Sequence, residues 1–279
     1  MHENHWTGAR VLIFIVLVIL SVLFISPILI VFMNSFKGRF YISDTPFQFP
    51  NAQTFVGLTN YTSGVAKTGF FNAFGLSLFI TIGSVAVIVL LTAMTAYYIT
   101  RVKNGLTNLL YYMFTFSMIV PFQMVMFTMT KTANTLRLDN PVGIILIYLG
   151  FGAGLSVFLY CGFVKSIPIE IEEAVMIDGY NPIQSFFRVI LPLLKPIAIT
   201  VAILNVMWIW NDYLLPLLVI GSEYQTVPIA IQYLKGGYGS IDMGAMMAML
   251  VLAIVPIIIF YLFCQKYIIE GVVAGAVKG

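Results

Sequence analysis

Charge is scarce in this 279-residue sequence, since only 9% of its residues are Asp, Glu, Lys or Arg while 60% are hydrophobic. A soluble core of this size could not hide so much apolar surface, so lipid is the expected main solvent. The 14 basic residues are scattered, no Lys- or Arg-rich run is present, and the net charge is only +3. These features exclude nucleic-acid binding as a function class.

Histidine and cysteine are nearly absent as well. His2 and His5 lie in the N-terminal tail, so we expect no His-dependent triad, metal site or proton relay within the membrane. Cys161 and Cys264 lie far apart in apolar stretches without metal-ligand spacing, and we interpret both as small hydrophobic residues. The sequence therefore predicts no metal site and no catalytic residue.

Two chemical motifs are also missing. Without a Gly-Lys-Ser/Thr phosphate loop, the chain cannot hydrolyse ATP through the usual cradle of backbone amides and lysine. No Gly-x-Ser-x-Gly elbow is present, which argues against a hydrolase of that type. We therefore expect a protein that is not an enzyme, that holds no cofactor, and whose energy, if ATP supplies it, comes from another subunit.

Long apolar stretches are what the sequence has in abundance. Stretches of about 20 residues predict about six transmembrane helices, and thus an all-α, polytopic protein with a single membrane domain, 1–279. The first stretch is longer than a signal-peptide core and lacks a cleavage pattern, so we expect it to remain as a span. The predicted spans are 11–33, 73–99, 109–130, 142–164, 194–220 and 245–264.

The distribution of Lys and Arg predicts the orientation. An even number of spans puts both termini on one side, and the side with more basic residues is cytoplasmic. The N-terminus, the second and fourth loops and the tail carry eight, namely Arg10, Arg101, Lys103, Lys165, Arg188, Lys195, Lys266 and Lys278. The other side carries six, namely Lys37, Arg39, Lys67, Lys131, Arg137 and Lys235. The difference favours cytoplasmic termini and an extracytoplasmic first loop, 34–72.

Proline lies inside several of the predicted spans, at Pro27, Pro121, Pro216 and Pro256. Each proline removes a backbone hydrogen bond and predicts a kink. The kinks fit either ordinary helix packing or a pathway that opens and closes around them.

The charged loop 165–193 contains the strongest signals for short helices. Pro168 suits a first turn, and Gly179 suits the left-handed residue that ends a helix. Between them, Glu170, Glu172 and Glu173 lie near the positive end of the helix dipole and form an acidic rim. A helix of this kind could dock on another protein or lie at the membrane interface, and the pattern does not choose between the two.

A second short helix is predicted directly after the first. Asn181 is a suitable N-cap, Pro182 a suitable first residue, and Gln184 completes a capping box. We expect this helix to run through Phe186 and Phe187 to Leu191-Pro192, where the fifth span begins.

These residues resemble the EAA loop of the permeases of ATP-binding-cassette (ABC) importers, whose pattern is Glu-Ala-Ala, three residues, Gly, nine residues and Ile-x-Leu-Pro. The matching segments are Glu173-Ala174-Val175, Asp178-Gly179 and Val189-Ile190-Leu191-Pro192. Val175 and Val189 depart from the pattern by mild substitutions. The resemblance implies that this loop is a coupling helix docked on an ATP-hydrolysing subunit, with the coupling residues Glu173, Ala174, Asp178, Gly179 and Pro192.

Two further matches are to the carbohydrate-uptake branch of that family. Pro46 and Pro50 before Leu58-Thr59-Asn60-Tyr61 resemble its first external loop, and 265–279 resembles the ending of the subunit type represented by the smaller maltose permease. The resemblance implies the type I ABC importer permease fold, with a permease core at 72–265 and a cytoplasmic tail at 265–279. It also implies sugar transport across the cytoplasmic membrane, with a second related permease, two ATP-hydrolysing subunits and an extracytoplasmic sugar-binding protein as partners.

The fifth predicted span contains Asp212, the only ionisable residue that we place within the membrane. Asn205, Trp208 and Asp212 fall on one helical stripe, with Asn211 beside them. Amide, indole and carboxylate groups together suit the hydroxyls and the apolar face of a sugar. Asn and Asp also serve helix packing, and aromatic residues belong to interfacial belts. The four residues are therefore candidates for a substrate pathway, with packing as the open alternative.

A secondary transporter driven by protons or sodium is the alternative function. In that case Asp212 would be the ion-binding carboxylate. Such transporters usually contain inverted repeats and more buried polar groups, and we find neither in the sequence.

Overall fold

The structure is a computed structural model that describes residues 8–221, 223–234 and 242–276, with side chains described as far as residue 267. Throughout these ranges the regular secondary structure is helical, and an isolated antiparallel bridge joins Lys37 to Phe55. The predicted all-α class is confirmed. His2, His5, Lys235 and the end of the predicted tail, 277–279, lie outside the described residues.

Fourteen α-helices and one π-helical turn lie within the described residues. Helices suit this apolar sequence because in lipid each backbone polar group has to be satisfied within its own segment. The elements in chain order are α1 (Gly8–Asn34), α2 (Arg39–Asp44), α3 (Thr59–Thr68), α4 (Phe70–Arg101), α5 (Gly105–Ser117), α6 (Phe122–Thr135), α7 (Gly143–Val164), α8 (Ile169–Ile177), α9 (Pro182–Ser185), the π-helical turn Phe186–Ile190, α10 (Leu191–Leu193), α11 (Lys195–Asn211), α12 (Leu214–Val219), α13 (Val227–Gln232) and α14 (Met243–Ala276).

Four of the described helices are long and apolar enough to cross a membrane by themselves, namely α1, α4, α7 and α14. Two bent helix pairs pass the same test, one formed by α5 and α6 and the other by 182–193 and α11. The number of candidate spans is therefore four, or six if each bent pair is one span, in agreement with the predicted number.

The third and fifth predicted spans are not continuous helices, which corrects the sequence interpretation. The predicted kink at Pro121 is a complete break, with an angle of 108° between α5 and α6. Pro121 has no N–H and an extended backbone, and α6 starts directly after it. In the fifth span the helix stops at Asn211, five residues before the predicted kink at Pro216.

The chain divides into two compact units. The first comprises Met1–Phe70 and Ala230–Pro256, and the second comprises Phe71–Ile229 and Ile257–Gly279. In the second unit, α4, α7 and α12 contribute the fully buried side chains Ile88, Tyr148 and Leu215 to one core. Gly152 on α7 leaves the room for this packing, because a Cβ there would lie 2.7 Å from Ile88 Cδ1 and 2.9 Å from Asn205 Oδ1.

The first unit is held together by contacts of α3 with the residues that follow α1 and with the start of α14. Asn60 donates from Nδ2 to the carbonyl oxygens of Ser35 and Lys37, both at 2.8 Å. Lys67 forms an ion pair with Asp242, and Asp242 Oδ1 accepts a hydrogen bond from the backbone N–H of Ala245 at 3.1 Å. Asp242 therefore both pairs with α3 and caps the start of α14.

The ion pair predicts a pH-dependent stability. Burial raises the pKa of Asp242, but the hydrogen bonds from Lys67 and Ala245 and the charge of Lys67 outweigh burial and hold it below its ordinary value of 3.8. The stabilisation is thus present above about pH 3.9, the unfolded value, and is lost as the pH falls through the folded pKa. Since Lys67 is half exposed, we expect Asp242→Asn, which keeps the cap, to lower the free energy of unfolding by only about 0.2–1 kcal/mol at pH 7.

Unfolding of the purified chain in mixed detergent at pH 7 and pH 3 measures this difference. Because the folded pKa of Asp242 lies below 3.8, the stability difference between Asp242→Asn and the unmodified chain should shrink at the lower pH. A difference that persists unchanged at pH 3 would contradict the assignment of the stabilisation to the charged pair.

Candidate coupling site

The helix α8 has the ends that the sequence predicts. Pro168 is its N-cap and Asp178 its C-cap, and Gly179 adopts φ +86°, the left-handed conformation expected of it. The N–H of Tyr180 bonds to the carbonyl oxygen of Val175 at 3.2 Å, and the N–H of Gly179 bonds to that of Met176 at 3.0 Å. These two bonds form a Schellman motif, which fixes where α8 stops.

The capping box predicted for the second short helix is also present. Asn181 Oδ1 accepts from the N–H of Gln184 at 2.9 Å, and Gln184 Oε1 accepts from the N–H of Asn181 at 3.1 Å. The helix that follows is less regular than expected. It passes from α9 into a π-helical turn and then into α10, which contains Pro192, before the chain bends by 74° into α11.

The predicted coupling residues are all exposed at or near the ends of these helices. Glu173 and Ala174 lie on α8, Asp178 and Gly179 at its C-terminal end, and Pro192 on α10. One face of α8, which we call the outward face, consists of Glu170, Glu173, Ala174 and Ile177, and the side chain of Ile177 is 85% exposed. A helix with an exposed apolar residue among acidic ones is a suitable docking element.

Glu172 is not part of the acidic rim that the sequence predicts. It lies on the opposite side of α8 from Ala174, because two residues are 200° apart on an α-helix, and it is only 4% exposed. Its carboxylate accepts hydrogen bonds from Tyr97 OH at 2.9 Å and from Arg101 Nε at 2.7 Å, and Arg101 Nη2 lies 2.6 Å from it. Burial without a partner would be costly for this carboxylate, and the pairing satisfies it.

Arg101 and Tyr97 are functional candidates that the sequence analysis missed. From the sequence, Arg101 is only one of the basic residues that predict the orientation, and no motif includes Tyr97. The sequence signal for an ion pair was an arginine at the very end of an apolar span, together with more acidic than basic residues in the loop 165–193. Nothing in the sequence pairs residues that are 71 positions apart.

The proposed pathway residues do not form one continuous stripe. Asn205 is buried and donates from Nδ2 to Ser156 Oγ at 3.2 Å and to the carbonyl oxygen of Val201 at 2.8 Å. Asn211 is exposed and donates within its own helical turn, to the carbonyl oxygen of Met207. Asn205 therefore packs α11 against α7.

Asp212 lies at a break in the chain and not within a helix. Its backbone is extended (φ −73°, ψ 127°), and its Oδ1 accepts from the N–H groups of Leu214 at 3.1 Å and Leu215 at 3.4 Å. Tyr148 OH donates to its Oδ2 at 3.1 Å, and the ring of Tyr148 meets the partly exposed ring of Trp208 edge-on at 5.4 Å. Tyr148 thus brings Trp208 and Asp212 together, while Asp212 starts α12 in the manner of an N-cap.

Among the described residues, no group of three or more His, Cys, Asp or Glu side chains is placed to hold a metal ion. The arrangement of α8 is suited to transmitting a movement. A short, capped helix exposes one face and is tied through the other to the end of a long span.

Comparisons with known proteins agree with this arrangement. Residues 88–273 match the family described as "Binding-protein-dependent transport system inner membrane component". The chain is 39% identical over 262 residues to a "Probable starch degradation products transport system permease protein AmyC" of Thermoanaerobacterium thermosulfurigenes, covering 94% of both chains. It is 35% identical over 270 residues to the "Multiple sugar-binding transport system permease protein MsmG" of Streptococcus mutans, covering 95% of this chain and 96% of the relative.

A solved structure has the same fold. It is a bacterial ABC transporter involved in the import of the acidic polysaccharide alginate, and its matching chain is 21% identical to this one with a TM-score of 0.75. The alignment covers 95% of this chain and 99% of that chain. The family match extends over more than half of the sequence and includes the entire EAA-like segment, so the chain belongs to the family of binding-protein-dependent transport system inner membrane components.

Proposed function

We propose that this chain is the membrane-spanning permease subunit of an ABC importer that carries a di- or oligosaccharide across the cytoplasmic membrane. The observation that carries the proposal is the outward face of α8, which lies exposed on a helix whose C-terminal end is fixed by a Schellman motif. A helix with a fixed end offers an ATP-hydrolysing partner a docking surface of defined length.

The partners follow from the family. The functional assembly contains a second related permease, two ATP-hydrolysing subunits that bind the ATP, and an extracytoplasmic sugar-binding protein. Both termini and α8 lie on the cytoplasmic side, where the ATP-hydrolysing subunits reside, and the first external loop 34–72 lies on the other side. The exposure of α1, in which Asn34 alone is buried, supports contact with lipid or with the second permease.

The substrate class rests on the relatives. The names of the two relatives above refer to starch degradation products and to multiple sugars. A further relative, with 29% identity, is the "Diacetylchitobiose uptake system permease protein NgcG" of Streptomyces coelicolor. These descriptions support a carbohydrate of two or more units. Trp208 is the best candidate on this chain for contact with the sugar, because it is partly exposed and Tyr148 holds its ring.

Reconstituted vesicles test the function directly. The complete complex, in vesicles loaded with ATP and with its ATP-hydrolysing sites facing the lumen, should take up a radiolabelled oligosaccharide when its binding protein is present outside. Uptake should continue after an uncoupler collapses the ion gradients. Uptake that stops with the uncoupler and ignores ATP would overturn the proposal in favour of an ion-coupled carrier.

Asp212 gives a second test between these two functions. The cap needs one oxygen and no charge, and the amide Nδ2 of asparagine can donate to the Tyr148 hydroxyl in place of the second carboxylate oxygen. Asp212→Asn should therefore keep sugar uptake within about threefold of normal, with the cap intact. Asp212→Ala should lose about 0.5–2 kcal/mol of stability because α12 loses its cap. Initial uptake rates and thermal unfolding measure the two effects. Complete loss of uptake in Asp212→Asn would support an ion-binding carboxylate.

Gly179 tests the fixed end of α8. Gly179→Pro should lower uptake about tenfold while the protein still inserts, because proline fixes φ near −65° and removes the N–H that bonds to Met176. Gly179→Asn, which tolerates the left-handed conformation, is the matched control and should transport normally. Equal uptake by both variants would show that the stop of α8 has no part in coupling.

A further inference from the structure

The way in which α8 is attached to the rest of the protein is unusual for a helix in an apolar chain. Glu172 is the only buried residue of α8. Its other residues are exposed or half-buried, so apolar packing contributes little to holding this helix in place. The attachment depends on one carboxylate and on the donors that surround it.

Those donors come from the last two turns of α4. Tyr97 and Arg101 are four residues apart and therefore lie on the same face of α4. Arg101 contacts both α8 and the segment that leads into it, because its Nε and Nη2 approach the Glu172 carboxylate while Nη2 also donates to the carbonyl oxygen of Ile167 at 2.9 Å. A planar guanidinium that satisfies a side chain and a backbone carbonyl together restrains both position and rotation of the helix.

Tyr97 extends the attachment to the second short helix. Its hydroxyl donates to Glu172, and its ring lies 5.3 Å from that of Phe186 at the start of the π-helical turn. The end of α4 therefore contacts both parts of the loop 165–193. Earlier in α4, the residues Ile80 and Ile88 are buried, so the middle of this helix is fixed in the core of the same compact unit.

We propose that Arg101 and Glu172 are positioning residues that make α8 and the end of α4 one rigid body, so that a displacement of α8 is passed directly to α4. The inference rests on the proposed function, in which an ATP-hydrolysing partner moves α8. Exposed Glu173 and Ala174 meet the partner, and buried Glu172 transmits the movement. Charge-assisted bonds suit this task, because they fix one geometry where an apolar contact would allow sliding.

Conservative substitutions separate positioning from folding. Arg101→Lys keeps the charge but replaces the guanidinium fork by a point charge that cannot hold Glu172 and the Ile167 carbonyl in the same way. Glu172→Gln keeps the size of the side chain and removes its charge. Arg188→Lys is the matched control, since Arg188 is exposed in the same loop. Each variant is reconstituted as the complete complex with its binding protein and sugar.

The expected result is a split between hydrolysis and transport. Arg101→Lys and Glu172→Gln should retain the ATP-hydrolysing subunits and their basal hydrolysis, whereas sugar taken up per ATP hydrolysed should fall about tenfold. A merely structural role would lower the yield of complex, hydrolysis and uptake together. Unchanged uptake per ATP in both variants, or a parallel loss of all three quantities, would overturn the inference.

A distance measurement tests the rigid body itself. Spin labels at exposed Met176 on α8, which lies outside the outward face, and at exposed Ile82 on α4, in a chain whose two cysteines are replaced, should give the same distance distribution without nucleotide and after vanadate trapping. In Arg101→Lys the distribution should broaden. A shift of about 5 Å in the otherwise unmodified chain, the size of one helical turn, would overturn the inference. Absence of ATP-dependent uptake in the unmodified complex would instead overturn the proposed function itself.

Discussion

Replacing Ala174 with tryptophan is expected to lower ATP-dependent sugar uptake about 30-fold while the chain still inserts into the membrane. Ala174 lies in the middle of the outward face of α8, between two acidic residues and the exposed Ile177. If this face fills a groove on the ATP-hydrolysing subunit, the indole cannot fit, and the loss corresponds to about 2 kcal/mol of docking free energy. Uptake in vesicles and recovery of the ATP-hydrolysing subunit with the tagged chain measure the effect.

Two control variants make this result specific to the docking face. Ala174→Ser keeps a small side chain and should behave normally. Lys103→Trp introduces the same bulk at another exposed position of a short loop, and it should leave both uptake and recovery of the partner unchanged. If Ala174→Trp transports at the normal rate with its partner bound, the outward face of α8 is not the docking surface.

Replacing Gly152 with leucine is expected to have the largest effect on the fold. The Cβ at this position would already lie 2.7 Å from Ile88 Cδ1 and 2.9 Å from Asn205 Oδ1, so that larger side chains force α4, α7 and α11 apart. Overpacking of this kind costs about 1–3 kcal/mol and sometimes more. We expect a markedly lower level of protein in the membrane and a lower unfolding temperature in detergent.

The same helix provides the control for this substitution. Gly150 is two residues away on α7, and a Cβ there meets nothing within 4 Å, so Gly150→Leu should be stable. In addition, Ile88→Val removes the nearest methyl group and should partly restore a Gly152→Ala variant. Equal stability of Gly150→Leu and Gly152→Leu would contradict the close packing at Gly152.

Local signals in the sequence predict the coupling segment well. The left-handed Gly179 and the capping box of Asn181 and Gln184 depend on residues within a few positions of one another, and both are present in the structure. The number of candidate spans also follows from apolar length alone. Such features are set by local backbone chemistry, which the sequence carries directly.

The breaks within the spans could not be predicted in the same way. Hydropathy describes how apolar a stretch is and contains no information on whether its backbone stays helical. Pro121 was recognised as a kink, yet the angle of 108° depends on how α5 and α6 pack. At Asp212 the charge between apolar segments predicts a ligand for a substrate or an ion, and the sequence does not show that the same carboxylate also starts α12.

Long-range pairs are the part that sequence reasoning misses. Glu172 is one of three acidic residues at the start of α8, and only the fold distinguishes it from its neighbours by burying it against Arg101. The outward face of α8 and the buried Glu172 on its opposite side can therefore be distinguished only in the three-dimensional structure. It is also what makes the helix suitable for passing on a movement.

Purification of the tagged chain from mildly solubilised native membranes tests the central claim most directly. The account predicts that mass spectrometry finds a second permease of the same family and a protein with a Gly-Lys-Ser/Thr phosphate loop, and that this complex takes up sugar only with ATP. Recovery of the chain alone, in a state that still transports sugar and stops when an uncoupler is added, would contradict it.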